Sequence, residues 1–239
     1  MSGQKGRGFA RLRNVAETVG EHESARMAAF EAAKANAVDE LKSFLASGAP
    51  AGVDERNRSL LGVAALHAHL DCVSVLLSDD AAQFVDSQGQ TPLMLAASNA
   101  SPDCVKLLLP VSDAKKVDKN GVTALMLAAM AGRPDCMRAL LPKSDPLATD
   151  SHGRNAFDYA AGCAYLLDGD EATDGSPEFE CVEILSNHAS IAQKEFAIER
   201  LGEERLPCVC ASLETDVLRR EVHHEGLTDH KRFRGARTH

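Results

Sequence analysis

The chain has 239 residues, contains no tryptophan and is 4% aromatic, which argues against a core built around large aromatic side chains. Its formal net charge is −9, and residues 27–186 carry most of it, with 12 Lys and Arg against 23 Asp and Glu. An acidic body argues against nucleic acid as a partner, because such binding depends on neutralising phosphates. Neither a signal-peptide pattern nor a long apolar stretch occurs. We therefore predict a cytoplasmic protein without a membrane partner, and leave open its association with the cytoskeleton or nucleus through a partner.

The N-terminal residues predict a leader followed by a capping unit. Residues 1–22 contain scattered glycines and arginines and are expected to be a flexible basic leader. Their glycines lack the spacing of a dinucleotide-binding loop and the Gly-Lys-Ser/Thr ending of a phosphate loop. Residues 23–53 contain two helical patterns, one around Phe30 and one from Val38. We expect them to cap the start of a repeat array.

The repeats are marked by aspartates that lie 32 residues apart, at Asp54, Asp86, Asp118 and Asp150. Self-similarity at a fixed period indicates a repeat architecture. Three residues after the aspartate comes a glycine, or Asn57 in the first case, and both tolerate the positive φ of a tight turn. The predicted repeats are residues 54–85, 86–117, 118–149 and 150–186.

Each repeat predicts two helices. Thr91 is expected to cap the first helix, which begins at Pro92, and Asn155 takes the place of the threonine in the last repeat. The second helix is expected to begin at Pro102, where an acidic residue follows in the first turn. Its apolar positions predict one buried stripe, formed by Val105, Leu108 and Leu109.

Three cysteines follow the same period, at Cys72, Cys104 and Cys136. A repeated location indicates a repeated packing role, and thiols behave as small hydrophobic groups. We predict that these cysteines are buried and reduced.

The motif Asp-x-x-Gly-x-Thr-Pro-Leu, followed by Ala-Ala and a Val-x-x-Leu-Leu run, resembles an ankyrin repeat. The resemblance covers residues 23–186, although Met94 and Met126 replace the histidine usual in the family; Met126 is expected in the core. It implies an all-α ankyrin-repeat solenoid of stacked helix-turn-helix units with projecting β-turn fingers. It also implies a protein partner that contacts the fingers and first helices on a concave face.

Carrying that geometry onto this sequence gives a set of candidate partner-binding residues that the repeat pattern leaves free. Arg56, Arg58, Lys119 and Arg154 outnumber Glu55 among the finger positions, so we predict a locally basic face. Such a face favours an acidic or phosphorylated peptide. The candidates are Arg56, Arg58, His67, Gln88, Gln90, Asn99, Lys119, Asn120, Met130, His152 and Arg154.

The C-terminal part is predicted to hold a capping helix at residues 187–205 and a helical or partly disordered basic tail at residues 206–239. Zinc binding in this tail is left open, because thiolates and imidazoles are zinc ligands but the spacing is unusual. The acidic insertion at residues 168–175 lacks the ligand order of a calcium loop. The four candidate zinc ligands are Cys208, Cys210, His223 and His224.

These patterns predict a non-catalytic adaptor with no cofactor and no small-molecule substrate. No nucleophile elbow and no kinase signature occurs in the sequence. An alternative is a regulatory subunit of, or scaffold for, an enzyme such as a kinase. A third hypothesis is a metal-binding or nucleic-acid-binding tail that acts independently of the repeats.

Overall fold

The computed structural model describes residues 23–48, 51–99, 101–167 and 177–188, together with 194–195, 197–199 and 213. The predicted leader, the acidic insertion, most of the predicted capping helix and nearly all of the tail lie outside these residues. The helices, in chain order, are α1 (residues 23–35), α2 (Val38–Ala46), α3 (Leu60–Leu66), α4 (Leu70–Leu76), α5 (Asp79–Gln83), α6 (Pro92–Ser98), α7 (Pro102–Leu108), α8 (Ala124–Met130), α9 (Pro134–Leu140), a 3-10 turn at Leu141–Lys143, α10 (Ala156–Leu167) and α11 (Pro177–His188).

The chain divides into two compact units, an N-terminal unit that ends at Ala124 and a C-terminal unit that begins at Leu125. In the N-terminal unit, α3 packs on α4 and α6 packs on α7, which are the predicted helix pairs. The first helices α3 and α6 also pack on each other, as do the second helices α4 and α7. Equivalent helices of adjacent repeats are therefore stacked.

Small side chains allow this stacking. Ala96 and Ala97 of α6 are fully buried beside Leu93. An alanine at a helix contact adds little bulk, so the backbones of neighbouring helices approach closely. The core of the N-terminal unit is consequently rich in alanine and leucine.

The C-terminal unit packs α11 against both α9 and α10. Its core contains the fully buried side chains of Phe157, Cys181 and Leu185. Met137 and Leu140 of α9 are also fully buried, which places the apolar side of this helix in the same core.

The predicted helix starts are confirmed. The hydroxyl of Thr91 accepts a hydrogen bond from the backbone N–H of Met94 at 3.3 Å. In the last repeat, Asn155 Oδ1 accepts from the N–H of Asp158 at 3.1 Å, and Asp158 Oδ2 accepts from the N–H of Asn155 at 2.7 Å. Asparagine thus replaces threonine as the cap, and the aspartate completes a reciprocal pair.

Two local details differ from the predictions. The short helix α5 was not expected; Ser78 caps it by accepting from the N–H of Ala81 at 3.2 Å. Leu109 is only partly buried, because α7 ends at Leu108 and Leu109 is the residue after it. The predicted core position of Met126 is confirmed, since its side chain is fully buried.

Candidate binding surface

Each repeat presents a five-residue turn, which we call a finger: residues 54–58, 86–90, 118–122 and 150–154. In the second finger, Asp86 Oδ1 accepts hydrogen bonds from the N–H groups of Gln88 at 2.8 Å and Gln90 at 2.9 Å. The carbonyl of Asp86 accepts from the N–H of Gly89 at 3.0 Å. The same bonds recur in the other three fingers.

The finger aspartate therefore folds the turn. Its carboxylate satisfies backbone donors that a short turn leaves without a partner. The side chains between the aspartate and the helix are not needed for this and are available for contacts. The sequence period located the aspartates, but it did not indicate this role.

The fourth position of the finger needs a residue that tolerates positive φ. Gly89 has φ +81° and Asn57, its counterpart in the first finger, has φ +58°. The predictions that Gly89 and Asn57 adopt positive φ are therefore confirmed. A Cβ on Gly89 would also lie 3.1 Å from the backbone nitrogen of Lys119, so the neighbouring finger adds a steric reason for glycine.

The fingers of the N-terminal unit are joined to one another. The N–H of Ser87 donates to the carbonyl of Arg56 at 2.9 Å, and the N–H of Lys119 donates to the carbonyl of Gln88 at 2.9 Å. We call this series the finger ladder. It holds the fingers in a fixed row, so a partner that binds them meets a surface already in place.

Arg58 and Arg154 are bound to the aspartates of their own fingers. Arg58 Nε donates to Asp54 Oδ2 at 2.8 Å, and Arg154 Nε donates to Asp150 Oδ2 at 2.9 Å. The prediction of a locally basic face included the positive charges of these two arginines but left out the negative charges of the aspartates that bind them. A four-residue spacing between aspartate and arginine is the sequence signal that could have revealed the pairs.

These pairs change the ionisation of the carboxylates. Burial alone raises the pKa of Asp54, but the hydrogen bonds from the Arg58 side chain and backbone outweigh it and lower the pKa. The pKa of Asp150 is also lowered against the effect of burial, by the N–H of Arg154 and by the hydroxyl of Tyr159, which donates to Oδ2 at 2.7 Å. The Arg154 guanidinium lies 4.8 Å from the centre of the Tyr159 ring.

The other candidates of the N-terminal unit fall into two groups. The side chains of Arg56, Gln88, Lys119 and Asn120 are exposed on the fingers, and Gln90 is partly buried. Within the described residues, Arg56 and Lys119 make no ion pair. Unpaired positive charge in this unit's fingers therefore resides on these two side chains.

His67 and Asn99 lie just after the first helices and contact their own chain. Asn99 Nδ2 donates to the carbonyl of Leu66, which ties one repeat to the preceding one. His67 stacks on His69 with ring centres 6.0 Å apart. Burial, followed by the charge of His69, lowers the pKa of His67, so this imidazole is neutral near pH 7.

In the C-terminal unit, His152 is exposed on its finger and Met130 is 46% exposed at the end of α8. Together with Arg154, they are the candidates that this unit presents.

In the described part of the chain, the acidic, imidazole and thiol groups do not cluster as a metal site. No group of three or more His, Cys, Asp or Glu residues there is arranged to hold a metal ion. The four candidate zinc ligands of the tail lie outside the described residues. Cys72, Cys104 and Cys136 are buried and form no disulfide, as predicted. Burial raises the pKa of Cys72 and of Cys104, which makes them poor nucleophiles. Over the same residues, no helix has the length and apolar character needed to span a membrane.

A family model described as ankyrin repeats (3 copies) matches residues 29–116 and 103–195, which is more than half of the chain. A comparison with curated proteins gave no match. The matched segments contain the fingers described above.

Proposed function

Because the chain belongs to the ankyrin-repeat family and has the all-α solenoid fold expected of it, we propose that it is a non-catalytic adaptor that binds a partner protein through its fingers and first helices. Ankyrin repeats are generally protein–protein interaction modules, and proteins built from them are typically non-catalytic. The specific adaptor role is our inference.

The finger ladder of the N-terminal unit is the observation that carries this proposal. The aspartates fold the turns, and the backbone bonds at Ser87 and Lys119 fix the spacing of the fingers. A backbone that is already held in place loses little conformational freedom on binding, and this favours affinity. On this proposal, Arg56, Gln88 and Asn120 take part in recognition of the partner.

We further propose that the partner offers an acidic or phosphorylated segment. Arg56 and Lys119 support this, because each is exposed and unpaired within the described residues and because Glu55 is the one acid exposed beside Arg56. Arg58 and Arg154 contribute less, since their guanidinium groups already bind Asp54 and Asp150. Gln90, His67 and Asn99 remain proposed contacts in the N-terminal unit, and Met130 and His152 remain proposed contacts in the C-terminal unit.

A cytoplasmic location is part of the proposal. Cys72, Cys104, Cys136 and Cys181 are buried thiols outside any disulfide, and thiols persist in a reducing compartment.

Affinity capture from a native lysate tests this function. The bait is the full chain, compared with the double variant Arg56→Glu/Lys119→Glu. The matched control is Lys42→Glu/Lys106→Glu, which makes the same charge change at exposed positions on the second helices α2 and α7. We expect one set of proteins to be lost with the finger variant and retained with the control. Equal recovery with both variants would contradict a basic finger surface, and recovery of no protein above background would contradict the adaptor role.

A further inference from the structure

The finger ladder has an open donor at its first finger. In the second and third fingers, the residue after the aspartate donates its N–H to the preceding finger, as Ser87 and Lys119 do. Glu55 holds that position in the first finger. The described residues before it, 23–48, form the helices α1 and α2 and no finger. Within the described part of the chain, the Glu55 N–H has no acceptor.

A cleft lies where the missing finger would be. It has a volume of about 430 Å³ and is lined by α1 on one side and by the first finger on the other. Met27 lines it and is 64% exposed, while Phe30 beside it is buried. Glu55 lines this cleft, and by analogy with Ser87 and Lys119 we expect its N–H to face away from the second finger and toward the cleft. The site thus combines a main-chain donor with an apolar patch.

Four cations and four carboxylates line the cleft, so a preference for an acidic ligand depends on where these charges lie and not on their number. On α1, Arg26 pairs with Glu23 and Lys34 pairs with Glu31. In each pair the side chain of the cation is the less exposed one. The exposed fraction is 34% for Arg26 against 54% for Glu23, and 40% for Lys34 against 72% for Glu31. The cations therefore lie closer to the wall and the carboxylates closer to solvent.

Arg56 on the opposite side adds a guanidinium that makes no ion pair within the described residues. Arg58 is already bound to Asp54. The exposed carboxylate of Glu55 is the one group on this finger that opposes an acidic ligand, so the ligand's acid has to lie on the Arg56 side.

We propose that this cleft binds an extended segment of a partner protein that carries an acidic side chain. A carbonyl of the segment accepts the Glu55 N–H, an apolar side chain covers Met27, and the acid contacts Arg56. Adding an extended peptide to an open row of backbone donors is an established mode of peptide recognition. This inference rests on the proposed function and assigns it a specific subsite.

A proline at residue 55 removes the donor and little else. The carbonyl of Asp54 accepts from the N–H of Asn57 at 3.0 Å, so Glu55 is the second residue of a β-turn, where proline is favoured. Glu55→Gln is the matched control, because it removes the same charge and keeps the N–H. Arg56→Glu is matched by Lys119→Glu, which makes the same charge reversal outside the cleft lining.

The probe is a displayed library of random eight-residue peptides, selected on the full chain, with affinities then measured for single synthetic peptides. We expect selection of acidic peptides that bind Glu55→Pro about three- to tenfold more weakly than Glu55→Gln, the size of one main-chain hydrogen bond. Glu55→Gln should bind at least as tightly as the wild type. Arg56→Glu should weaken binding and Lys119→Glu should not. The Glu55 amide proton should shift downfield on binding in an NMR spectrum.

Three results would overturn the proposal. Equal affinity of Glu55→Pro and Glu55→Gln would exclude the main-chain bond. Loss with Lys119→Glu but not with Arg56→Glu would place peptide binding on the other fingers and leave the proposed function intact. Failure to select any peptide would exclude the cleft as a peptide site, while the capture experiment would still decide the proposed function separately.

Discussion

Arg58 and Asp54 are joined through two nitrogens of the guanidinium, with Nε 2.8 Å and Nη2 2.7 Å from the same carboxylate oxygen, Oδ2. Each side chain is 13% exposed. The other oxygen, Oδ1, accepts the N–H groups of Arg56 and Arg58. One carboxylate therefore both folds the first finger and holds its arginine, so that Arg58 belongs to the frame of the finger.

Replacing Arg58 should consequently affect the stability of the fold much more than replacing Arg56. We expect Arg58→Gln to lower the free energy of unfolding by about 2 kcal/mol, because Asp54 is left partly buried without its ionic partner. Arg56→Gln should change it by less than about 0.5 kcal/mol, as is usual for an exposed side chain. Urea denaturation of both variants measures the difference. Equal stabilities would show that the Arg58 pair adds nothing to the fold.

The Asp150 carboxylate makes the stability of the C-terminal unit depend on pH. Its pKa is lowered relative to the unfolded value of 3.8, which means that the native protein binds the proton less tightly than the unfolded chain. The stabilisation by Asp150 is therefore complete above the unfolded pKa and is lost as the pH falls below it.

We expect Asp150→Asn to be about 1–2 kcal/mol less stable than the wild type near pH 7, since hydrogen bonds to a charged group are lost. This difference should shrink between about pH 5 and about pH 2, because the Asp150 carboxylate of the unfolded chain takes up a proton there while that of the native protein, with its lowered pKa, does not. Tyr159→Phe, which removes one donor to Oδ2, should show a smaller effect of the same sign. Urea denaturation across this pH range gives the values, and a difference that does not vary with pH would contradict the assignment.

The period of the sequence was sufficient to predict a repeat architecture, and the resemblance of the repeated motif to ankyrin repeats implied the fold. A spacing of 32 residues located the turns, the caps and the buried cysteines, because each is set by local chemistry that repeats. The same spacing aligned Asn57 with the usual glycine and Asn155 with the usual threonine. The structure confirms both, since Asn57 has positive φ and Asn155 caps its helix.

The candidate surface was harder to predict, because exposure depends on contacts that a repeat pattern does not contain. Arg58 and Asn99 occupy positions that the pattern leaves free, yet each side chain binds its own chain. The cleft beside α1 was also missed. It arises because the capping helices α1 and α2 have no finger. The lack of a finger leaves a main-chain donor open, but this can be recognised only when the hydrogen bonds between the other fingers are known.

The second and fourth fingers offer a comparison that isolates the contact between neighbouring fingers. Gly89 and Gly153 have φ of +81° and +73°, so alanine at either position costs about 1 kcal/mol for the left-handed conformation. Only Gly89 has a close neighbour, since a Cβ there would lie 3.1 Å from Lys119 N, whereas Gly153 has no atom within 4 Å.

Gly89→Ala should therefore be less stable than Gly153→Ala by about 1 kcal/mol or more. The added methyl group should also weaken the bond from the Lys119 N–H to the Gln88 carbonyl, and hydrogen exchange at the Lys119 amide should become faster. Chemical denaturation and amide exchange measure the two effects. Equal losses of stability with unchanged exchange would mean that the ladder shifts to make room at little cost.

The buried thiols provide a final prediction, about how the repeats open. Cys72 in α4 and Cys104 in α7 are fully buried, and burial raises the pKa of each thiol. The thiolate is the reactive form, so in the native protein both should react with a thiol reagent at least about 100-fold more slowly than in the unfolded chain. Mass spectrometry of labelled peptides separates the two sites.

The dependence of this labelling on denaturant then tests cooperativity. The stability of a repeat array is roughly a sum of repeat and interface terms, and its ends can open before its centre. We expect Cys72, in the first full repeat, to become reactive at a lower urea concentration than Cys104, in the next one. Labelling of both at the same concentration would show that the N-terminal unit unfolds in a single step, with the finger ladder and the stacked helices breaking together.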